Sequence, residues 1–257
     1  MGIFFICLAS FLASLMTFFS GFGLGTALMP ITAIFFPIPV AIAITAIVHL
    51  MSKIFKLALL WRYINNKILI FFGLPALLAA IPGALLLDYF SKIGAIGTYH
   101  LMGVERDVVA IKLVAGLLLI LFATAEWKPF LKNLFMNRRN LPFGGLLSGF
   151  FGGLTGNQGA FRSAFLVQED MSEKEFVATN AAIAALVDIT RLIIYGLTFD
   201  ILLLRSQAFL ICLAVFSSFL GIFLGTQLIG KVTIKFIQRF VAIMMYILGI
   251  LLCLNLI

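Results

Sequence analysis

The chain has 257 residues, of which 63% are hydrophobic and only 11% charged, and its formal net charge is +8. Soluble domains carry about 45–50% apolar residues, so this composition excludes a soluble enzyme or nucleic-acid-binding module and indicates a multi-pass membrane protein. The basic residues gather in short loops, where membrane orientation and anionic head groups account for them without nucleic acid.

Residues 3–20 form an apolar segment that ends at Gly21-Phe22-Gly23-Leu24-Gly25. No Lys or Arg precedes it and more apolar sequence follows, so it is expected to be retained structure rather than a signal peptide. A short helix is expected from Thr26 to Phe36, stopped by Pro37-Ile38-Pro39, then a long one over 40–61 carrying His49, Lys53 and Lys56. A helix over 68–90 is expected to bend at Pro75 and Pro82. The stretch 91–106 reads as a polar, glycine-containing loop, 107–126 as a helix, and 127–141 as a basic connection holding Lys128, Lys132, Arg138 and Arg139.

The second part repeats this order. A broken segment covers 142–168, an acidic loop runs from Glu169 to Glu175 with a helix start at Ser172, and helices follow over 174–197, 204–229 and 235–257. At a constant offset of 134 residues, Gly25 meets Gly159 and Thr45 meets Thr179, while Lys56 falls one residue from Arg191. This is read as an internal duplication: 1–126 as a first repeat, 127–141 as a cytoplasmic connection and 142–257 as a second repeat, together one transport domain. Full crossing by all eight apolar segments divides the loop charges poorly. If 3–36 and 142–168 instead dip in and return, one side collects nine basic residues and the other keeps Lys92, Arg106 and Arg205, as the positive-inside rule favours. The expected fold is therefore all-α, with eight hydrophobic segments in two inverted repeats. Each repeat is a broken, re-entrant helical hairpin plus three transmembrane helices.

Polar, glycine-broken backbone is tolerated in lipid only where protein buries it or it lines a cavity. Two such breaks meeting would aim unpaired N–H groups and positive helix ends at one anion. Candidate binding residues at the breaks are Gly23, Gly25, Thr26, Gly156, Asn157, Gln158, Gly159 and Arg162. Helix packing alone would explain the glycines, but not Asn157, Gln158 and Arg162. Arg162 either recognises an oxyanion with its planar fork or snorkels to an interface. Lys53, Thr179, Asn180 and Arg191 complete the candidate set, and Lys56 either joins it or snorkels. His49 reads as a proton carrier or as a neutral core histidine. Asp188, one turn from Arg191, reads as a structural ion-pair partner or as a proton-exchanging group. Gly144, Gly145, Ser148, Gly149, Gly152 and Gly153 recur at three- and four-residue steps, which lets another helix backbone approach closely. Cys7, Cys212 and Cys253 stand singly, which argues against a thiol relay or a cysteine metal site. No nucleophile-and-base set or phosphate loop is visible, so neither an enzyme nor a cofactor is expected.

The two glycine-rich breaks, GFGLGTALMP at 21–30 and GLTGNQGAFRSAFL at 153–166, resemble the duplicated signature of the sulfite exporter TauE/SafE family, and the resemblance extends over nearly the whole chain. Pro30 closes the first cluster as in the family, whereas Ala164 stands where a second proline would fall. The resemblance implies cofactor-free secondary transport of small sulfur-containing anions, such as sulfite, sulfoacetate or thiosulfate, in the prokaryotic cytoplasmic membrane. The partners it implies are the anion and the lipid bilayer. A homodimer is left open, as are an anion channel and a non-transporting assembly partner.

Overall fold

A computed structural model describes residues 2–20, 24–101, 103–127, 140–156, 158–166, 169–198, 205–227 and 234–256. Most of the expected basic connection therefore lies outside the described residues. The helices are α1 (Gly2–Ser20), α2 (Leu24–Phe35), α3 (Ile38–Leu60), α4 (Asn66–Lys92), α5 (Ala110–Trp127), α6 (Leu141–Thr155), α7 (Gly159–Leu166), α8 (Glu173–Thr198), α9 (Ala208–Gln227) and α10 (Ile234–Cys253). By length and composition, four of the described segments can cross a membrane: Ile38–Tyr63, Asn66–Lys92, Glu173–Leu197 and Ala208–Gln227. Shorter apolar helices cover Gly2–Leu15, Ala110–Thr124 and Leu141–Thr155. Large apolar side chains such as Phe4, Phe209 and Phe216 point outward, as they must where the solvent is lipid.

Local chemistry sets the helix ends. Pro39 occupies the first turn of α3, where its missing N–H is not needed. Asn65 caps α4 by accepting the Ile68 N–H at 3.2 Å. Within α4 the turn widens to π geometry over Leu69–Gly73, immediately before Pro75. A proline cannot donate to the carbonyl four residues back and its ring crowds that group; the wider turn relieves both. Ser172 and Glu175 form a reciprocal capping box at the start of α8: the Ser172 N–H donates to Glu175 Oε2 at 2.9 Å, and the Glu175 N–H to Ser172 Oγ at 3.3 Å.

The stretch expected as a loop contains instead a two-stranded antiparallel hairpin, β1 (Ala95–Leu101) and β2 (Val104–Val109), with Gly103 at φ +80 in the turn. Its glycines read as loop signals, yet Tyr99, Val104, Val108 and Val109 are strand formers. The chain's last described residues fasten to it and to the first turn of α5. Tyr99 Oη donates to the Leu254 carbonyl at 2.6 Å, Asn255 Nδ2 to the Asp107 carbonyl at 2.8 Å, and Lys112 Nζ to Asn255 Oδ1 at 2.5 Å.

The closest packing joins the two halves of the chain. α6 lies on α4, α1 on α9, α5 on α10 and α3 on α8. On α6, a Cβ added to Gly145, Gly149 or Gly153 would run into the carbonyl oxygens of Phe72, Ala76 and Ala80 in turn, and one on Gly83 of α4 would run into that of Phe150. The Gly145, Gly149 and Gly153 face of the small-residue stripe is thus filled by α4 of the same chain, backbone against backbone. Between α1 and α9 hydroxyls do similar work. Ser10 Oγ donates to the Ala214 carbonyl at 2.7 Å, and the Ser14 and Ser218 hydroxyls lie 2.8 Å apart. Around this frame, α3 and α8 run through the interior and carry His49, Lys53, Lys56, Asp188 and Arg191, all buried.

Candidate functional site

The two breaks adjoin. A Cβ placed on Gly25, at the start of α2, would lie 3.4 Å from the Gly156 carbonyl oxygen and 3.8 Å from Thr45 Cγ2 on α3. Gly23 and Asn157 lie outside the described residues, and Thr26 is described only as part of the α2 backbone. Gly156 ends α6 with a left-handed φ of +78, and its N–H donates to the Gly152 carbonyl at 2.9 Å. Any side chain there would be strained and would overlap the Arg191 guanidinium. Glycine at 156 is therefore what lets Arg191 reach the break.

Beyond the break, Gln158 accepts the backbone N–H of Arg162 at 3.1 Å and Gly159 opens α7. The Gln158 side chain is fully buried, in space that Gly152 leaves free: a Cβ on Gly152 would come within 3.0 Å of it. Neither its amide oxygen nor its amide nitrogen has a hydrogen-bond partner among the described residues. Arg162 is also fully buried and donates from Nε to Asn180 Oδ1 on α8, while its Nη1 and Nη2 have no partner among the described residues. Burial rules out snorkelling for Arg162 and equally for Lys56, which is 3% exposed.

α3 and α8 supply the remaining charges. His49 Nδ1 bonds Asp188 Oδ2, and Arg191 Nη2 lies 2.8 Å from Asp188 Oδ1, so one carboxylate serves both neighbours. His49 Nε2 has no partner among the described residues. Lys53 and Lys56 are buried on the same face of α3, within electrostatic range of Arg162. Thr179 and Asn180 take different parts: Asn180 holds Arg162, whereas Thr179 Oγ1 accepts the Asn65 N–H at 2.9 Å and ties α8 to the start of α4.

Some participants were not singled out from sequence. Tyr195, one turn after Arg191, is buried and donates from Oη to the Gly153 carbonyl at 2.7 Å, fixing α8 to the end of α6. Its spacing of four from Arg191 was the available signal. Ser52 and Ser163 are buried with unpartnered hydroxyls beside Lys53 and Arg162 in sequence; nothing in their type distinguishes them from packing serines.

Among the described residues this cluster sets four basic side chains, Lys53, Lys56, Arg162 and Arg191, against one carboxylate, Asp188. Buried charge is normally paired, and buried donors are normally bonded. An interior that departs from both rules, with an excess of cations and idle donors, is chemically suited to hold an anion. No group of three His, Cys, Asp or Glu side chains that could hold a metal occurs among the described residues.

A comparison with protein-family models matches residues 6–252 to the family described as "Sulfite exporter TauE/SafE". No curated protein and no solved structure matches the chain.

Proposed function

The chain belongs to the sulfite exporter TauE/SafE family, a family of membrane transporters rather than enzymes, and from that premise we propose that it is a secondary transporter of small sulfur-containing oxyanions, working from the prokaryotic cytoplasmic membrane. The observation that carries this reading is the buried cation excess between the two adjoining breaks. Arg162, Gln158 and the start of α7 hold the anion. Asp188 keeps Arg191 aimed at the break, and Lys53 and Lys56 raise the local potential. Thiosulfate, sulfite and the sulfonate head of sulfoacetate all present several oxygens to such donors, and a guanidinium meets two of them at once.

In this reading the two halves are inverted repeats that meet near the bilayer midplane. The repeated order of break, short helix and long polar helix supports it, as does packing that pairs α1 with α9 and α6 with α4, the first helix of each half with the corresponding later helix of the other. The same packing bears on the moving parts. Rocking of one half against the other would have to tear the backbone contacts between α4 and α6; alternating access fits better if each moving body contains helices from both halves. An assembly protein that binds partners through the glycine stripe of α6 is disfavoured, because α4 already occupies the Gly145, Gly149 and Gly153 face of that stripe.

The test is uptake of labelled anion by vesicles that hold this chain as their sole protein and are preloaded with the same unlabelled anion, against a panel of sulfite, thiosulfate, sulfoacetate and acetate. Saturable uptake of the sulfur anions with weak competition by acetate is expected. Non-saturating flux would favour a channel, and absence of flux for all four would remove the reading.

A further inference from the structure

Arg162 differs from Arg191 in having no carboxylate of its own among the described residues, and from Lys53 and Lys56 in carrying a charge it cannot shed. Asp188 gives its two oxygens to His49 and Arg191 and reaches Arg162 through its field alone. The bonded neighbour of Arg162 is the neutral amide of Asn180, and its two terminal nitrogens are unpartnered among the described residues at 0% exposure. The amide of Gln158, equally buried, has both polar atoms idle. An ammonium such as Lys53 or Lys56 can lose its charge by releasing a proton, but a guanidinium does not do so in proteins. No protonation change among the neighbours removes the charge on Arg162. From this we propose, resting on the transporter reading, that the site does not reorient empty: the chain is an anion exchanger, in which one small oxyanion leaves Arg162 and Gln158 only as another takes its place.

The physical reason lies in the closed state every alternating-access carrier must pass through. While the site is open to either side, water and mobile anions screen Arg162. Once it closes, an unoccupied site leaves a guanidinium buried without a counter-charge, an arrangement that is strongly disfavoured. A bound anion supplies the counter-charge and satisfies Arg162 Nη1, Nη2 and the Gln158 amide together. Loaded carriers therefore cross readily in both directions, and empty ones are held open.

The purified full-length chain, reconstituted in liposomes loaded with labelled thiosulfate and clamped at zero voltage, tests this directly. Efflux is measured into buffer with or without unlabelled thiosulfate. External thiosulfate is expected to speed efflux on the order of a hundredfold, the scale set by an uncompensated buried charge. Equal rates in the two buffers would overturn the proposal, as would a pH gradient that drives net efflux at the exchange rate. No flux in either buffer would overturn the transporter reading along with it. Arg162→Gln removes the charge. In folded variant protein the ratio of exchange to net efflux is expected to fall towards one, and an unchanged ratio would refute the role given to Arg162. Should that variant not fold, the wild-type comparison decides the matter by itself.

Discussion

At the scale of single residues, two positions dominate the candidate site, and each makes a separate prediction. Arg162→Lys keeps a positive charge but loses the planar fork and the Nε bond to Asn180. We expect the KM for thiosulfate to rise roughly ten- to hundredfold, the value of one or two charge-assisted hydrogen bonds, with the protein still folded in a thermal melt. Gly156→Ala acts differently. It forces a side chain onto a φ of +78 and into the Arg191 guanidinium. A backbone cost of about 1–2 kcal/mol is expected together with loss of transport, because Arg191 has to withdraw from the break. An unchanged KM in Arg162→Lys, or full activity in Gly156→Ala, would show that the fork or the close approach is not used. Much of this was legible in the residues themselves. Arg162, Gln158, His49, Asp188 and Arg191 stood out because charge and amides are rare in apolar runs. Which oxygen each one meets was not legible, since that depends on a contact across 139 residues for His49 and Asp188.

At the scale of elements, the seam between α4 and α6 is the tightest contact described and invites a stability test. Gly149 faces the Ala76 backbone directly, so Gly149→Leu has to push two helices apart. Overpacking of a well-filled core costs typically about 1–3 kcal/mol, and here no side chain can yield, so we expect at least the upper end, read as a lower melting temperature in detergent. Gly196→Ala is the matched control: nothing lies within 4 Å of the added carbon, and the change is expected to be neutral or to stabilise by up to about 1 kcal/mol through helix propensity. The small-residue spacing in 144–153 announced such a seam, but not its partner, because glycines state how near a neighbour comes and not which neighbour it is. The hairpin at 95–109 was missed for a related reason. A two-stranded ribbon has little core of its own, and its anchoring to Leu254 and Asn255 leaves no periodic trace in the sequence.

For the molecule as a whole, the order of elements and the membrane class could be read from hydropathy, while the arrangement of the halves could not. The repetition expected at an offset of 134 residues would speak of likeness, not of contact. The structure places the strongest contacts between the halves, so the expected boundary at 127–141 divides the sequence more than it divides the packing. Cutting the chain within that connection is expected to leave two fragments that co-purify in mild detergent; fragments that separate would mean that the interhelical seams are weaker than their geometry implies.

The pairing of α1 with α9 also bears on how the protein is made. Ser10 and Ser14 find their partners 204 residues later, in Ala214 and Ser218. During synthesis α1 therefore waits with its hydroxyls unanswered until Ala214 and Ser218 have been made. Interhelical hydrogen bonds in membranes contribute only about 0.6 kcal/mol each on average, so the wait is tolerable, but it prolongs the period in which quality-control proteases can act. A nascent chain ended after residue 204 should be cleared from cells much faster than one ended after residue 227, and pulse-chase labelling of the two would measure the difference.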